Sequence, residues 1–218
     1  MVVANKADLG LALDGDADRI MMVDHTGAVV DGDELLYIIA KDAQKRGVLG
    51  GGVVGTLMSN FGLEKAFAAD DIPFLRAKVG DRYVMELLTK NNWKFGGESS
   101  GHILCLDKNT TGDGIISALQ VLAVMASEEK SLAELRGGMT KMPQTMVNVR
   151  ISEKCDPMEN EGIVSAVKEV ESELGDTGRV LLRASGTEPL IRVMVEGEKE
   201  AQVETLANQL AGVVEEKL

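Results

Sequence analysis

Between Asp33 and Met125, short apolar runs alternate with amphipathic stretches of helical length, and this alternation restricts the chain to a layered α/β arrangement. Asp33 reads as the N-cap of a helix with Leu35, Leu36, Ile38, Ile39 and Ala43 on its apolar face and Gly47 closing it. Gly51 to Leu57 follows as an apolar strand, and Ser59 reads as the cap of a helix reaching Ala69. Pro73 opens a strand over Phe74 to Val79, and Gly80-Asp81 begins a helix carrying Val84, Leu87 and Leu88. After a glycine-rich turn comes a strand from His102 to Leu106. Asp113 starts a long helix expected to turn Ile115, Ile116, Leu119, Leu122 and Met125 inward, and Ser131 with Glu134 forms a capping box for a short one. Strands separated by helices of this length are expected to pair in parallel.

The pattern changes near Gly137-Gly138. Gly137 to Pro143 reads as a linker, after which Thr145 to Ile151 alternates strictly, with Val147, Val149 and Ile151 on one face. A helix bearing Ile163, Val164, Val167, Val170 and Leu174 follows. Two strands, Arg179–Arg183 and Leu190–Glu196, then precede a last helix with Val203, Leu206, Leu210 and Val213. The order β-α-β-β-α predicts a small α+β domain.

Upstream of both regions lies Asp14-Gly15-Asp16-Ala17-Asp18-Arg19, between the apolar runs Leu9–Leu13 and Ile20–Val23. Strand, tight acidic turn, strand is the reading. Carboxylates at alternate positions with small spacers can converge on one point, where their repulsion favours a cation. Oxygen ligands select a hard ion, Mg²⁺ or Ca²⁺, and three from one loop leave coordination positions open for a phosphate. An EF-hand loop is excluded because Arg19 stands where its sixth-position glycine is required. A solvated acidic turn is the competing interpretation.

Composition narrows the partners. A net charge of −12 over 218 residues argues against a nucleic-acid groove or an anionic membrane surface. No apolar run approaches the roughly 20 residues that span a bilayer, and the N-terminus shows no signal-peptide pattern. Cys105 and Cys155 have no metal-ligand spacing, so free thiols in a reducing cytoplasm are expected. The chain enters a strand almost at once, and an N-terminal portion is expected to be missing from it.

Three further segments carry chemistry. Gly96-Gly97-Glu98-Ser99-Ser100-Gly101-His102 combines backbone freedom with a carboxylate, two hydroxyls and an imidazole, a set suited to a polyhydroxylated ligand; a glycine-rich turn with a structural histidine fits equally. His25 lies in a turn and reads as a surface residue. Arg183-Ala184-Ser185-Gly186-Thr187-Glu188-Pro189, followed by Arg192, offers an anion nest, with a tight hairpin as the alternative. Lys78-Val79-Gly80-Asp81-Arg82 sits at a strand-to-helix junction, where α/β proteins place ligands; ordinary capping by Asp81 is its plain reading.

The four motifs in this order, D-G-D-A-D-R at 14–19, K-V-G-D-R at 78–82, G-E-S-S-G-H at 97–102 and R-A-S-G-T-E-P at 183–189, resemble the α-D-phosphohexomutase family. The resemblance covers the whole chain but only the C-terminal half of the family protein. It implies the end of a metal-loop domain over 1–28, a mixed α/β/α sugar-binding domain over 29–141 and a small α+β phosphate-binding domain over 142–218. It implies that Asp14, Asp16 and Asp18 bind one Mg²⁺ together with a phosphoserine, and that Arg19 sits beside that phosphate. Glu98 and Ser100 would hold sugar hydroxyls, with His102 and Lys78 facing the reacting sugar as orienting or acid/base groups. Arg183, Ser185, Gly186, Thr187 and Arg192 would bind the phosphate that is not reacting. The activity implied is interconversion of a hexosamine 6-phosphate and 1-phosphate in bacterial cell-wall amino-sugar synthesis; plain-hexose members and a non-catalytic sugar-phosphate-binding module are the alternatives. No serine here stands in the family's Ser-His-Asn nucleophile context, so the isolated chain is expected not to turn over. Exposed strand edges near Asp14 are expected to favour a homodimer.

Overall fold

The computed structural model describes residues 1–153, 155–185 and 188–218, which form two compact units, Met1–Thr140 and Lys141–Leu218. The first begins with a single helical turn, α1 (Val2–Asn5), and an antiparallel sheet of β1 (Leu9–Leu13), β2 (Ile20–Asp24) and β3 (Val29–Val30) in that spatial order. Pairing of Leu13 with Ile20 places the acidic loop at the end of the β1–β2 hairpin. Alternation decides the faces of β2: Ile20, Met22 and Asp24 point into the core. β1 is an edge strand, with Leu11 and Leu13 half exposed.

There follow α2 (Gly32–Lys45), β4 (Val53–Thr56), α3 (Phe61–Ala69), β5 (Phe74–Ala77), α4 (Asp81–Asn91), β6 (Phe95–Gly97), β7 (Ile103–Cys105), α5 (Gly114–Glu128) and α6 (Leu132–Arg136). Their strands make one sheet in the order β5-β4-β6-β7. Val53, Phe95 and Ile103 face a core built with α2 and α5, while Val54 and Leu104 face a second cluster with Val84 and Leu88 of α4. Helices therefore cover both faces, giving the α/β/α layering. The parallel expectation holds for β5, β4 and β6, but β7 runs antiparallel to β6. Only Glu98–His102 separates these two strands, too short a connection for a parallel crossover.

Three local expectations are corrected. The cap of α2 is Asp31, whose carboxylate accepts from Asp33 N and Glu34 N while Glu34 reaches back in a capping box. Asp33 is instead buried and accepts from Asn60 N. Asn60, not Ser59, caps α3; the Ser59 hydroxyl accepts from Thr56 N. In α5 the buried face is Ser117, Ala118, Val121 and Val124, whereas Ile115 and Leu119 are each 55% exposed. That helix is apolar on both sides, so periodicity alone could not choose between them.

The second unit holds β8 (Gln144–Arg150), α7 (Glu161–Leu174), β9 (Gly178–Ala184), β10 (Leu190–Gly197) and α8 (Glu200–Lys217). Its antiparallel sheet runs β8-β10-β9. Val149, Ile191, Val193 and Val195 pack against Ile163, Val167, Val170 and Leu174 of α7 and Val203, Leu206, Leu210 and Val214 of α8. This aliphatic core is its own.

Candidate functional site

The acidic loop is shaped by its backbone. Ala17 adopts a left-handed conformation (φ 59°), and its N–H returns to Asp14 O, closing a turn. Its carbonyl accepts from Gly114 N at the start of α5. One oxygen from each of Asp14, Asp16 and Asp18 can lie within 4.8 Å of the others, with Asp14 and Asp16 exposed and Asp18 half-buried. Arg19 donates its backbone N–H to Asp14 Oδ1 at 3.3 Å, and its Nε stands 3.9 Å from Asp14 and 3.8 Å from Asp18. An all-oxygen donor set of this compactness fits a hard divalent cation.

The Glu98–His102 turn is locked onto that loop. Ile20 N donates to Gly101 O at 3.1 Å, and Arg19 and His102 pair as an antiparallel bridge. Gly101 has φ 92°, and a Cβ there would lie 2.1 Å from Ile20 O, so the approach requires glycine. His102 Nδ1 is 3.1 Å from Asp18 Oδ2. Its ring is buried, and Nε2 is covered without a hydrogen-bond partner among the described residues.

Strands β5 and β6 are each parallel to β4, so Lys78 and Glu98 leave the sheet at the same edge. That is where open α/β sheets bind ligands. Glu98 Oε1 accepts from Gly80 N at 2.8 Å, tying the Lys78–Arg82 segment to the turn. Lys78 is exposed, with Nζ 5.9 Å from the Tyr83 ring. The Ser100 hydroxyl is buried without a partner among the described residues. Sequence reasoning missed Gly32, whose N–H donates to Ser99 O and whose Cβ would fall 2.0 Å from Glu98 O. A glycine directly after the Asp31 cap was the available signal. A wide depression of about 880 Å³ lies elsewhere in this unit, beside Asp8, His25, Leu122 and Glu134.

In the second unit, Arg183 of β9 and Arg192 of β10 stand directly opposite each other in the ladder. Burial first, and then the Arg192 charge, hold the Arg183 guanidinium below its ordinary pKa. Two like charges across an antiparallel pair repel, and an anion between them relieves the repulsion. Ser185 is buried, donates its N–H to Leu190 O and accepts from Glu188 N through its hydroxyl. Gly186 and Thr187 of this motif lie outside the described residues.

A strand-edge group of carboxylates and cations thus lies on the α/β/α layer, and an arginine pair lies on the separate α+β unit. The chain belongs to the phosphoglucomutase/phosphomannomutase family: the family's alpha/beta/alpha domain III matches residues 31–142 and its C-terminal domain matches 146–213. It is 60% identical over 214 residues to the phosphoglucosamine mutase of Aeromonas salmonicida and 62% identical over 213 residues to that of Shewanella piezotolerans. Each alignment covers 98% of this chain and 48% of the relative, so the chain spans about half the length of the curated relatives it matches. The fold is that of the Aspergillus fumigatus N-acetylphosphoglucosamine mutase, crystallised with GlcNAc-6P and magnesium, at a TM-score of 0.80 and 23% identity; the match covers 96% of this chain and 49% of that one.

Proposed function

We propose that the chain is the C-terminal part of a phosphoglucosamine mutase, which interconverts glucosamine 6-phosphate and glucosamine 1-phosphate. The identity of about 60% to such enzymes along 98% of the chain is the observation that carries this reading. In it, residues 1–28 end the metal-loop domain, 29–141 bind the sugar and 142–218 bind phosphate. Asp14, Asp16 and Asp18 hold Mg²⁺, which offsets negative charge on a transferring phosphoryl group. Arg19, within 4 Å of two of those carboxylates, and the exposed Lys78 add positive charge. Glu98 keeps one oxygen on Gly80 and has the other for a sugar hydroxyl, with Ser100 two residues further along the same turn. The opposed Arg183 and Arg192, with Ser185, Gly186 and Thr187, clamp the remote phosphate and so orient the sugar. The phosphoserine comes from the N-terminal half that the relatives carry, and the setting is cytoplasmic. No helix of the described residues is long and apolar enough to cross a membrane.

The test is reconstitution. The 218-residue chain alone should not convert glucosamine 6-phosphate in the presence of a hexose 1,6-bisphosphate, and co-expression with the N-terminal half of a relative should restore turnover. Turnover by the chain alone, or none by the pair, overturns the reading. Faster conversion of glucose or mannose phosphates by the pair would assign a plain-hexose mutase instead.

A further inference from the structure

Strand β4 lies between β5 and β6, and Lys78 and Glu98 stand just past the carboxyl ends of those two neighbours. A ligand that reaches both segments therefore meets the end of β4 as well. From β4 the chain runs to α3, whose Leu63 and Phe67 pack in the core shared with α2 and α5. From β5 it runs to α4, whose Val84 and Leu88 pack on the other face of the sheet. Connections diverging to opposite faces open a crevice at the carboxyl ends of the strands, the usual place for a ligand in such a sheet.

The β4 wall of that crevice is the turn Thr56-Leu57-Met58-Ser59. Ser59 N donates to Thr56 O at 3.1 Å, Thr56 N to Ser59 Oγ at 3.0 Å, and Met58 N to Thr56 Oγ1 at 3.1 Å. Arg76 Nη1 donates to the Thr56 and Ser59 carbonyls at 2.9 and 2.7 Å, and its Nε donates to Glu64. Leu57 N donates to Ala77 O at 2.9 Å, which pins the turn to the end of β5. Thr56 and Ser59 are buried, while Leu57 and Met58 between them are only half-buried. The central positions of a turn favour Pro, Asp, Asn, Ser or Gly, so a leucine and a methionine there contribute nothing to turning the chain. Their polar neighbours hold them rigidly at the strand edge. Val79, on the β5 side, is 44% exposed and adds a third apolar group there.

Ligand sites combine apolar walls with a few placed polar groups. A pyranose matches that division, with hydroxyls at its rim and C–H groups on its ring faces. The geometry points to Leu57 and Met58 as the apolar wall of the sugar site, with the Met58 side chain packing on the C–H groups of a hexosamine ring and positioning it for Lys78 and Glu98. Methionine is unbranched and polarizable and adapts to irregular surfaces, which suits a site that takes both the 6-phosphate and the 1-phosphate of one sugar. The inference rests on reading residues 29–141 as sugar-binding and adds to that reading the surface against which the ring lies.

The experiment uses the 218-residue chain labelled with ¹³C-methyl methionine and uniform ¹⁵N, titrated with glucosamine 6-phosphate, glucosamine 1-phosphate and, separately, inorganic phosphate. Met58→Leu assigns the methyl resonance. Both sugar phosphates should move the Met58 methyl, inorganic phosphate should not, and Met85 and Met125 should stay in place. By isothermal titration, Met58→Leu should bind the sugar phosphates within about twofold of the unaltered chain and Met58→Ser at least about fivefold more weakly, with the melting temperatures of all three alike. Equal affinity in Met58→Ser overturns the proposal, and so does a Met58 methyl that responds equally to inorganic phosphate. If the amides of Glu98 and Ser100 move on adding sugar phosphate while the Met58 methyl does not, the wall falls and the sugar-binding reading stands. If no resonance within 29–141 moves, the sugar-binding reading and the proposal fall together.

Discussion

Asp24 shows how a single carboxylate can hold the first unit together. It is fully buried at the end of β2 and accepts from Thr26 N, the Thr26 hydroxyl and Ala28 N, while Arg136 Nε stands 3.3 Å away. Arg136 also donates to the buried Glu34 at 3.0 Å, so one guanidinium joins the first sheet to α2 and α6. Burial alone would raise the Asp24 pKa, but the Thr26 and Ala28 bonds and the Arg136 charge outweigh it and hold the group below its ordinary 3.8. A depressed carboxylate contributes stability that is complete above its unfolded value and is lost as pH falls through the folded one. Asp24→Asn should therefore lower the melting temperature at neutral pH and flatten its decline below about pH 4, as thermal unfolding across pH 3–7 would read. The residue patterns exposed the ligand candidates Asp14, Asp16 and Asp18 because alternate spacing is a local property. They could not expose the tie of Arg136 to Asp24 and Glu34, which joins residues about a hundred positions apart.

Secondary structure was legible wherever one face of an element is polar. The faces of α7 and α8 follow this rule: Ile163, Val167, Val170 and Leu174 are buried as their spacing predicts, as are Val203, Leu206 and Leu210. It fails for α5, which carries apolar residues on two sides. There the inward face is composed of small residues, because a helix packed close to α2 and β2 has room for Ser117, Ala118 and Val121 but not for Ile115 and Leu119. Val121→Ala should cost about 1–3 kcal/mol, while Leu119→Ser should stay within about 0.5 kcal/mol, measured by urea unfolding of the whole chain. The reverse order would mean that the helix packs on its other side. Cap identities were missed for a related reason. Asp31 and Asp33 both suit an N-cap, and the buried tie from Asp33 to Asn60 N, twenty-seven positions along the chain, settles which one serves.

At the scale of the molecule, the two units have separate cores and divide after Thr140. Residues 141–218 expressed alone should fold and unfold in one cooperative transition followed by circular dichroism, since their sheet, helices and core are complete within the segment. A non-cooperative or unfolded segment would count against the independence of that core. In the first unit the three motif segments are far apart in sequence yet share bonds: Gly80 N to Glu98 Oε1, Ile20 N to Gly101 O, Gly32 N to Ser99 O, and His102 to Asp18. Any replacement of the Glu98–His102 turn would have to keep a glycine at 101 against Ile20 O and leave room for the close approach of Gly32, so redesign of this unit has to exchange the acidic hairpin, the strand-edge segment and the turn together.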